Sequence, residues 1–186
     1  MANKYNLFII SAPSGAGKSS LVKALLDKDE KIMVSISHTT REPRHNEEHG
    51  VNYHFVTIDE FTRMIEDDHM LEYAKVYNNY YGTSKLEIEN KRLANDIILE
   101  IDWQGASQVK KLFPEAISIF ITVASERVLE ERLVGRATDS VEVIQSRMAI
   151  AKAEMSHASE FDFTVVNDNF DTALRELHGI IIKHRK

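Results

Sequence analysis

Apolar residues along this chain form short continuous runs that alternate with longer runs of helical spacing. Residues 7–11 form a short apolar run typical of a buried strand, and residues 18–28 carry leucine and valine on one helical face. Further buried strands are predicted at 97–102, 117–123 and 163–166, with helical patterns between them. Strands separated by helices predict an α/β fold, with a parallel sheet flanked by helices on both faces.

Residues 36–83 depart from this alternation and read as a small, largely β insertion. A polar loop at 38–50 is punctuated by proline and glycine, and residues 71–81 alternate like a hairpin. A short helix between them has Thr57 or Asp59 as its candidate N-cap. The remaining predicted elements are strands at 33–37 and 52–56, and helices at 84–94, 103–113, 125–158 with an interruption at 135–140, and 171–184.

A phosphate-binding loop joins the first predicted strand to the first predicted helix. It reads Ala-Pro-Ser-Gly-Ala-Gly-Lys-Ser at residues 12–19, in the strand–turn–helix setting that such loops require. Gly15 and Gly17 let backbone N–H groups turn toward phosphate oxygens, and the helix N-terminus adds its dipole. Lys18 can reach the β- and γ-phosphates, and the Ser19 hydroxyl can ligate Mg²⁺.

The predicted ATP-binding residues are those of this P-loop and the start of its helix: Ala12, Pro13, Ser14, Gly15, Ala16, Gly17, Lys18, Ser19 and Ser20. Ala12 replaces the first glycine of the usual pattern, and we expect the loop to keep its shape if the φ angle of Ala12 stays negative. A glycine-rich turn that binds nothing is the alternative, and the strand and helix beside it argue against that. A P-loop indicates a nucleotide binder but leaves the reaction open.

Length, charge and cysteine content exclude several other classes of protein. The chain has 186 residues, enough for one domain with inserted parts, and no cysteine, which excludes thiolate metal sites and cysteine nucleophiles. Its net charge of −6 argues against a surface for nucleic-acid backbones. No segment has the length of a membrane span or the pattern of a signal peptide, so we predict a cytoplasmic protein.

Two groups of arginines are candidates for binding phosphate. Arg41 and Arg44 lie three apart in the polar loop, and guanidinium groups grip phosphate oxygens in a fork. A solvated loop with incidental charge explains them equally well. Arg132 and Arg136 share a helix face, and with Arg147 they suit the neutralisation of a transferring phosphoryl group. The glutamates around them make a salt-bridged surface helix the better interpretation of the charge pattern alone.

A second set of residues could recognise a base. Glu72, Tyr81 and Thr83 lie on the predicted hairpin, and Ser37 ends the strand before it. A carboxylate beside hydroxyls can bind guanine, which presents donors at N1 and N2 and an acceptor at O6. Adenine has an acceptor at N1, which an ionised carboxylate would repel. An exposed strand residue and a core tyrosine remain the alternative interpretations of Glu72 and Tyr81.

Asp102 ends a buried strand, where open α/β sheets place their ligands. It could bind the acceptor nucleotide or lie near Mg²⁺. It could also cap the helix that begins at Trp103, which is compatible with either role. His38, His45 and His49 lack the spacing of metal ligands, and we interpret them as solvated loop residues.

Taken together, these residues resemble those of guanylate kinases over essentially the whole chain. The matching motifs are the loop at 12–19, Ser37-His38-Thr39-Thr40-Arg41-Glu42-Pro43-Arg44, Gly50-Val51-Asn52-Tyr53, Glu72, Tyr81-Gly82-Thr83, Ile101-Asp102-Trp103-Gln104-Gly105, Arg132-Leu133-Val134-Gly135-Arg136 and Val166-Asn167-Asp168. Their shared order and spacing are very specific. The resemblance implies a P-loop NTPase-type fold and a kinase that transfers the γ-phosphoryl group of ATP to GMP or dGMP. It also implies dependence on Mg²⁺ and in-line transfer without a covalent intermediate.

The resemblance further implies a role for each matching residue. Lys18 and the loop amides would hold the ATP phosphates, Ser19 would ligate Mg²⁺, and Asn167 would touch adenine. The residues implied to bind the GMP phosphate are Arg41, Arg44, Tyr53 and Tyr81, and those implied to read guanine are Ser37, Glu72, Thr83 and Asp102. Catalysis would depend on Lys18, Arg41, Arg132, Arg136 and Arg147.

The implied organisation has three parts: a core at residues 1–35, 84–124 and 151–186, a mostly β GMP-binding insertion at 36–83, and a helical lid at 125–150. The chain departs from the family pattern at Ala12, at Thr83 where serine is common, and at Glu100 where aspartate often stands. We expect Glu100 to point outward or to bridge.

Two rival functions remain at this point. One is a non-catalytic guanylate-kinase-like module that binds phosphopeptides, and the intact Lys18 and Ser19 of the P-loop argue against it. The other is a kinase for AMP or a pyrimidine monophosphate, and Glu72 with Thr83 argues against that.

Overall fold

The computed structural model describes residues 6–76, 78–91, 96–134 and 141–185. The strands are β1 (Asn6–Ser11), β2 (Ile32–Val34), β3 (His38–Thr39), β4 (His54–Phe55), β5 (Met70–Val76), β6 (Asn79–Ser84), β7 (Asp96–Glu100), β8 (Ile117–Thr122) and β9 (Phe163–Val166). The helices are α1 (Lys18–Lys28), α2 (Ile58–Glu66), α3 (Lys85–Asn90), α4 (Trp103–Leu112), α5 (Glu126–Val134), α6 (Val141–Ser156) and α7 (Phe170–His184). Within the described ranges, no helix is both long and apolar enough to cross a membrane.

Five parallel strands form the main sheet, in the order β2-β7-β1-β8-β9. The central strand β1 is apolar on both faces, and Phe8, Ile9 and Ile10 are fully buried. Phe8 and Ile10 pack with Leu25 of α1 and Leu177 of α7. Ile9 belongs to a second core, on the face covered by α4. The predicted α/β class, with helices flanking a parallel sheet, is confirmed.

The insertion has a sheet of its own, in the order β4-β3-β6-β5. The predicted hairpin is confirmed, since β5 and β6 pair antiparallel with Glu72 opposite Thr83. The prediction of a loop from residue 38 is wrong, because His38 and Thr39 pair with β6 as strand β3. Thr39 is buried, and its hydroxyl donates to the Tyr80 carbonyl at 3.0 Å, so its polar side chain is satisfied inside the sheet.

Several elements are shorter than predicted. The strand expected at 33–37 ends at Val34, the one expected at 52–56 covers only His54–Phe55, and the one expected at 97–102 stops at Glu100. The helix expected to reach residue 94 ends at Asn90, and residues 92–95 and 135–140 lie outside the described part of the chain.

Thr57, the first of the two candidate caps, begins α2. Its hydroxyl accepts a hydrogen bond from the N–H of Glu60, whose carboxylate accepts one from the N–H of Thr57. This reciprocal capping box satisfies two backbone donors that the start of the helix would otherwise leave free.

A cluster of charged side chains anchors α7 to the sheet. Arg185, directly after α7, donates hydrogen bonds to the carboxylates of Asp29, at 2.7 Å, and Asp96. Asp96 is fully buried, and His178 Nε2 lies 3.1 Å from Asp29 Oδ2. Burial opposes the ionisation of Asp29, but hydrogen bonds with Arg185 and His178 outweigh it and lower its pKa to about 2.

Arg185→Ala should lower the free energy of unfolding by about 3–5 kcal/mol at pH 7, because it leaves the buried carboxylate of Asp96 without its charged partner.

The pKa of Asp29 is lowered in the folded state. Its stabilisation is therefore present above the ordinary pKa of 3.8 and is lost as the pH falls toward 2. Urea unfolding at several pH values measures both effects, with the exposed Lys183→Ala as control. Equal stability of Arg185→Ala and wild type at pH 7 would contradict this account.

Candidate active site

The carboxyl ends of β1 and β7 open into a cleft between the main sheet and the inserted sheet. Parallel strands end at the same edge, so the P-loop after β1 and the acids after β7 come together there. The cleft has a cavity volume of about 210 Å³. Its lining includes Lys18 from the P-loop, Ser37, Glu72 and Tyr81 from the insertion, and Asp102. The fold thus brings residues predicted for ATP and residues predicted for GMP into one cavity.

The P-loop has the curled backbone that phosphate binding needs. Gly15 and Gly17 have φ angles of 95° and 90°, in the left-handed region that favours glycine. The helix α1 begins directly afterwards at Lys18. Among described residues other than glycine, only Asp68 has a positive φ, so Ala12 meets the condition expected for alanine at the first loop position.

Two side chains from distant elements clamp this loop. Asn167, which follows β9 and is buried, donates to the carbonyl of Ala16 at 2.7 Å. Arg132 of α5 donates to the carbonyl of Asn167 at 2.7 Å. A Cβ on Gly17 would lie 2.5 Å from the Asn167 amide nitrogen, so packing as well as φ requires glycine there. The contact predicted between Asn167 and adenine stays a prediction. The same holds for the contact predicted between Arg132 and the transferring phosphoryl group.

Glu100 lies at the end of β7 beside the two P-loop side chains predicted for phosphate and metal. Its Oε2 is 3.8 Å from Lys18 Nζ and accepts a hydrogen bond from Ser19 Oγ at 3.3 Å. Glu100 therefore bridges, which is the second of the two orientations expected. A hydroxyl and a carboxylate oxygen are hard donors of the kind that Mg²⁺ prefers.

Glu72 and Thr83 form a buried polar pair on neighbouring strands of the inserted sheet. Glu72 is 2% exposed and Thr83 is 0% exposed, yet Glu72 Oε1 and Thr83 Oγ1 have no hydrogen-bond partner within the described ranges. Burial, together with the negative charge of Asp102, raises the pKa of Glu72 to about 7. Because an unpaired buried polar group is costly, these atoms mark a place suited to a polar ligand.

Asp102 caps α4 and borders the same cleft. Its carboxylate accepts hydrogen bonds from the N–H of Gly105 at 2.8 Å and from the side-chain amide of Gln104 at 3.0 Å. The helix-cap interpretation is therefore confirmed, and it leaves a ligand role open. Ser37 is buried directly before β3 and lines the cleft as well.

Arg41 and two tyrosines form a cluster at the edge of the cleft, which Tyr53 and Tyr81 both line. The guanidinium carbon of Arg41 lies 5.6 Å from the ring centre of Tyr53, and Arg41 Nη2 is 2.9 Å from the carboxylate of Glu47. Tyr53 and Tyr81 meet edge to face with ring centres 6.1 Å apart. Burial raises the pKa of Tyr53, which keeps its hydroxyl a donor. Arg44 is exposed, and its backbone N–H donates to Glu47 at 2.8 Å.

Glu154 is a cleft residue that sequence reasoning missed. It lies on α6, and its carboxylate accepts a hydrogen bond from the backbone N–H of Ser14 at 3.3 Å. Burial, with the charge of Asp102, raises its pKa. The two partners are 140 positions apart, and Glu154 is one acid among many in a helical pattern. No local signal could have identified it.

The helix α6 borders the cleft near its carboxyl end, where Glu154 belongs to the lining. It carries Arg147 and Glu154, and the ring of His157 just after it stacks on Trp103 with centres 3.6 Å apart and planes 7° apart. Trp103 directly follows Asp102, so this stack joins the end of α6 to the start of α4 beside the cleft. Arg136 lies outside the described residues.

The interpretation of His38 as a solvated loop residue is wrong, whereas His45 and His49 are exposed. His38 lies in β3, and its ring packs on that of His54 with centres 4.6 Å apart. Burial lowers the pKa of His38 to about 4, so it is neutral at pH 7. The residues next to His38 in the sequence are polar and predicted a loop. The residues that contact it in the sheet come from other segments, so the sequence around it did not indicate them.

Comparisons with known proteins place this chain in one family. A family model described as guanylate kinase matches residues 4–184. A guanylate kinase of Hydrogenovibrio crunogenus is 55% identical over 182 residues, covering 97% of this chain and 89% of that protein. One of Shewanella violacea is 56% identical over 187 residues, covering 100% of this chain and 90% of that protein. The crystal structure of guanylate kinase from Anaplasma phagocytophilum matches with a TM-score of 0.80 at 27% identity, covering 100% of this chain and 88% of that one. The chain belongs to the guanylate kinase family.

Proposed function

We propose that this protein transfers the γ-phosphoryl group of ATP to GMP or dGMP, giving ADP and the corresponding diphosphate. Its membership of the guanylate kinase family supports this reaction. The observation that carries it is a single cleft that holds both Lys18 of a P-loop and Glu72, whose buried carboxylate has an oxygen that no described residue pairs. The P-loop accounts for a nucleotide donor, and the unpaired carboxylate accounts for guanine in the acceptor.

The P-loop holds the donor in this proposal. Its backbone N–H groups and the N-terminus of α1 bind phosphate oxygens, and Lys18 neutralises charge on the β- and γ-phosphates. An oxygen of the GMP phosphate attacks the γ-phosphorus in line with the leaving oxygen, without a covalent intermediate. The protein contributes positioning and charge stabilisation. Asn167 lies behind the loop and borders the adenine.

Ser19 and Glu100 would hold Mg²⁺ together with the ATP phosphates. Their side-chain oxygens are 3.3 Å apart at the mouth of the P-loop, and both are hard donors that suit this ion. When bound, the ion neutralises charge on the phosphate oxygens. Lys18 Nζ lies 3.8 Å from the Glu100 carboxylate, and it binds phosphate oxygens next to that carboxylate.

The inserted sheet binds the acceptor in this proposal. Glu72 accepts the N1–H and N2–H donors of guanine, and the hydroxyls of Ser37 and Thr83 and the carboxylate of Asp102 complete the base site. The GMP phosphate is bound by the guanidinium groups and hydroxyls of Arg41, Arg44, Tyr53 and Tyr81. The base and the phosphate of GMP are thereby fixed at two separate points, which orients the attacking oxygen.

Closure of the cleft completes the proposal. Residues 125–150 act as a lid, residues 36–83 as the GMP-binding part, and the remainder as the core. Arg132, Arg136 and Arg147 neutralise the transferring phosphoryl group as water is excluded, which protects ATP from hydrolysis. A cytoplasmic location, where both nucleotides are available, belongs to the same proposal.

Lys18→Ala should lower kcat by a factor on the order of 10³ or more, because the cation at the transferring phosphates is lost. GMP affinity and the melting temperature should change little, since Lys18 serves ATP from a loop. A coupled assay of ADP production and calorimetric GMP titration measure these effects. Lys23→Ala, on the exposed part of α1, is the matched control. Near-wild-type turnover of Lys18→Ala would exclude the P-loop assignment.

Glu72→Gln should lower the ratio of kcat/KM for GMP over AMP by at least about tenfold, since each unpaired donor costs roughly 1–3 kcal/mol. The substitution replaces one acceptor oxygen by an NH₂ group that faces a guanine donor, whereas adenine suffers less or gains. Kinetics with both monophosphates measure the ratio, and the exposed Glu66→Gln is the control. An unchanged ratio would show that Glu72 does not read the base.

GMP binding should release protons near pH 7. Burial raises the pKa of Glu72 to about 7, and guanine binds its ionised form, so binding draws the proton off. The kcat/KM for GMP should rise with pH through about 7 and then level. The phosphate of GMP titrates nearby, so the test is the difference between wild type and Glu72→Gln in calorimetry with buffers of different ionisation enthalpy. Identical proton release by both proteins would contradict the assignment.

A further inference from the structure

Gly105 occupies a position in α4 where the helix itself would favour alanine. It is not among the described glycines with positive φ, so its backbone is open to any residue. Alanine is better than glycine inside a helix by about 1 kcal/mol. The cap on Asp102 uses only the backbone N–H of Gly105, which alanine also has. The backbone of α4 therefore gives no reason for glycine.

The missing side chain leaves room for the carboxylate of Glu72. A Cβ at position 105 would lie 2.3 Å from Glu72 Oε2 and 3.1 Å from its carboxyl carbon. The next nearest atom, Cβ of Ile101, would be 3.4 Å away. The carboxylate group alone would have to move by a large amount, and it is the end of a flexible side chain rather than backbone.

The same carboxylate has an oxygen that no described residue pairs. Glu72 is 2% exposed, so a displaced carboxylate moves within a packed interior and not into water. Its Oε1 is buried without a hydrogen-bond partner within the described ranges, and Thr83 on the neighbouring strand is the polar residue beside the carboxylate, where it opposes the rise in the pKa of Glu72. Gly105 and Thr83 together therefore limit where the carboxylate can lie.

We infer that Gly105 is a specificity-determining position that acts through Glu72. The absence of a side chain there seats the carboxylate where it can accept both guanine donors, and even one extra methyl group would move it. Gly105 is a positioning residue, since Glu72 and not Gly105 contacts the base. This inference rests on the proposed reading of guanine by Glu72.

The test is Gly105→Ala, compared with Gly179→Ala as matched control. Gly179 also lies inside a helix, α7, but a Cβ there would meet nothing within 4 Å. Gly105→Ala should lower the ratio of kcat/KM for GMP over AMP by about tenfold or more, and the loss should appear in KM for GMP and not in KM for ATP. Gly179→Ala should leave the ratio unchanged.

A double-mutant cycle with Glu72→Ala separates this effect from a general disturbance of α4. Once the carboxylate is absent, Gly105→Ala should cause no further loss of base preference. If it does cause one, the effect does not pass through Glu72 and the inference is overturned. An unchanged ratio in Gly105→Ala itself would also overturn it.

Folding gives an independent readout. Gly105→Ala should melt close to wild type, because only a flexible side-chain end must move. If Gly105→Ala does not fold but Gly105→Ala combined with Glu72→Ala does, the contact with Glu72 is still the cause of the failure to fold. If both fail to fold, other contacts dominate and the inference is wrong. If Glu72→Gln loses the preference for GMP over AMP and Gly105→Ala keeps it, only the inference about Gly105 is overturned. If Glu72→Gln keeps that preference, the assignment of guanine recognition to Glu72 is overturned.

Discussion

The parallel pairing of β1 with β7 is the constraint on which the site depends. Its register places Ile10 beside Glu100, so the P-loop and the acids after β7 emerge at one edge of the sheet. A slip of one residue would turn every side chain of the strand to the opposite face and break both apolar cores. The packing of Phe8 and Ile9 on the two faces therefore holds the register, and the register brings Glu100 to Ser19.

Negative charge is concentrated in the cleft between the two sheets. Glu72, Glu100, Asp102 and Glu154 all line the cleft, and the whole chain carries a net charge of −6. Burial raises the pKa of Glu72 to about 7, which lessens this charge at neutral pH, and it raises the pKa of Glu154 as well. In the proposed reaction, phosphate is bound by groups whose charge is local and directed: backbone N–H groups at a helix start, Lys18 and the arginines.

The end of α6 contacts two separate segments at the cleft. Glu154 lies in its last turn, and His157 follows the helix directly. Glu154 accepts a hydrogen bond from Ser14 in the P-loop, and His157 stacks on Trp103 beside Asp102. A shift of the end of α6 would therefore act on both the P-loop and the start of α4.

Features that depend on neighbouring residues could be predicted from the sequence. The apolar run of β1, the left-handed glycines of the P-loop and the helix start at Lys18 form one local pattern, and the alternation of strands and helices predicted the sheet. Features that depend on residues far apart follow only from the packed structure: the contact of the His38 ring with His54, the hydrogen bond between Glu154 and Ser14, and the fit of Glu72 against Gly105. Burial and close approach set pKa values and side-chain positions, and neither can be read from local spacing, because both arise only when separate segments pack together.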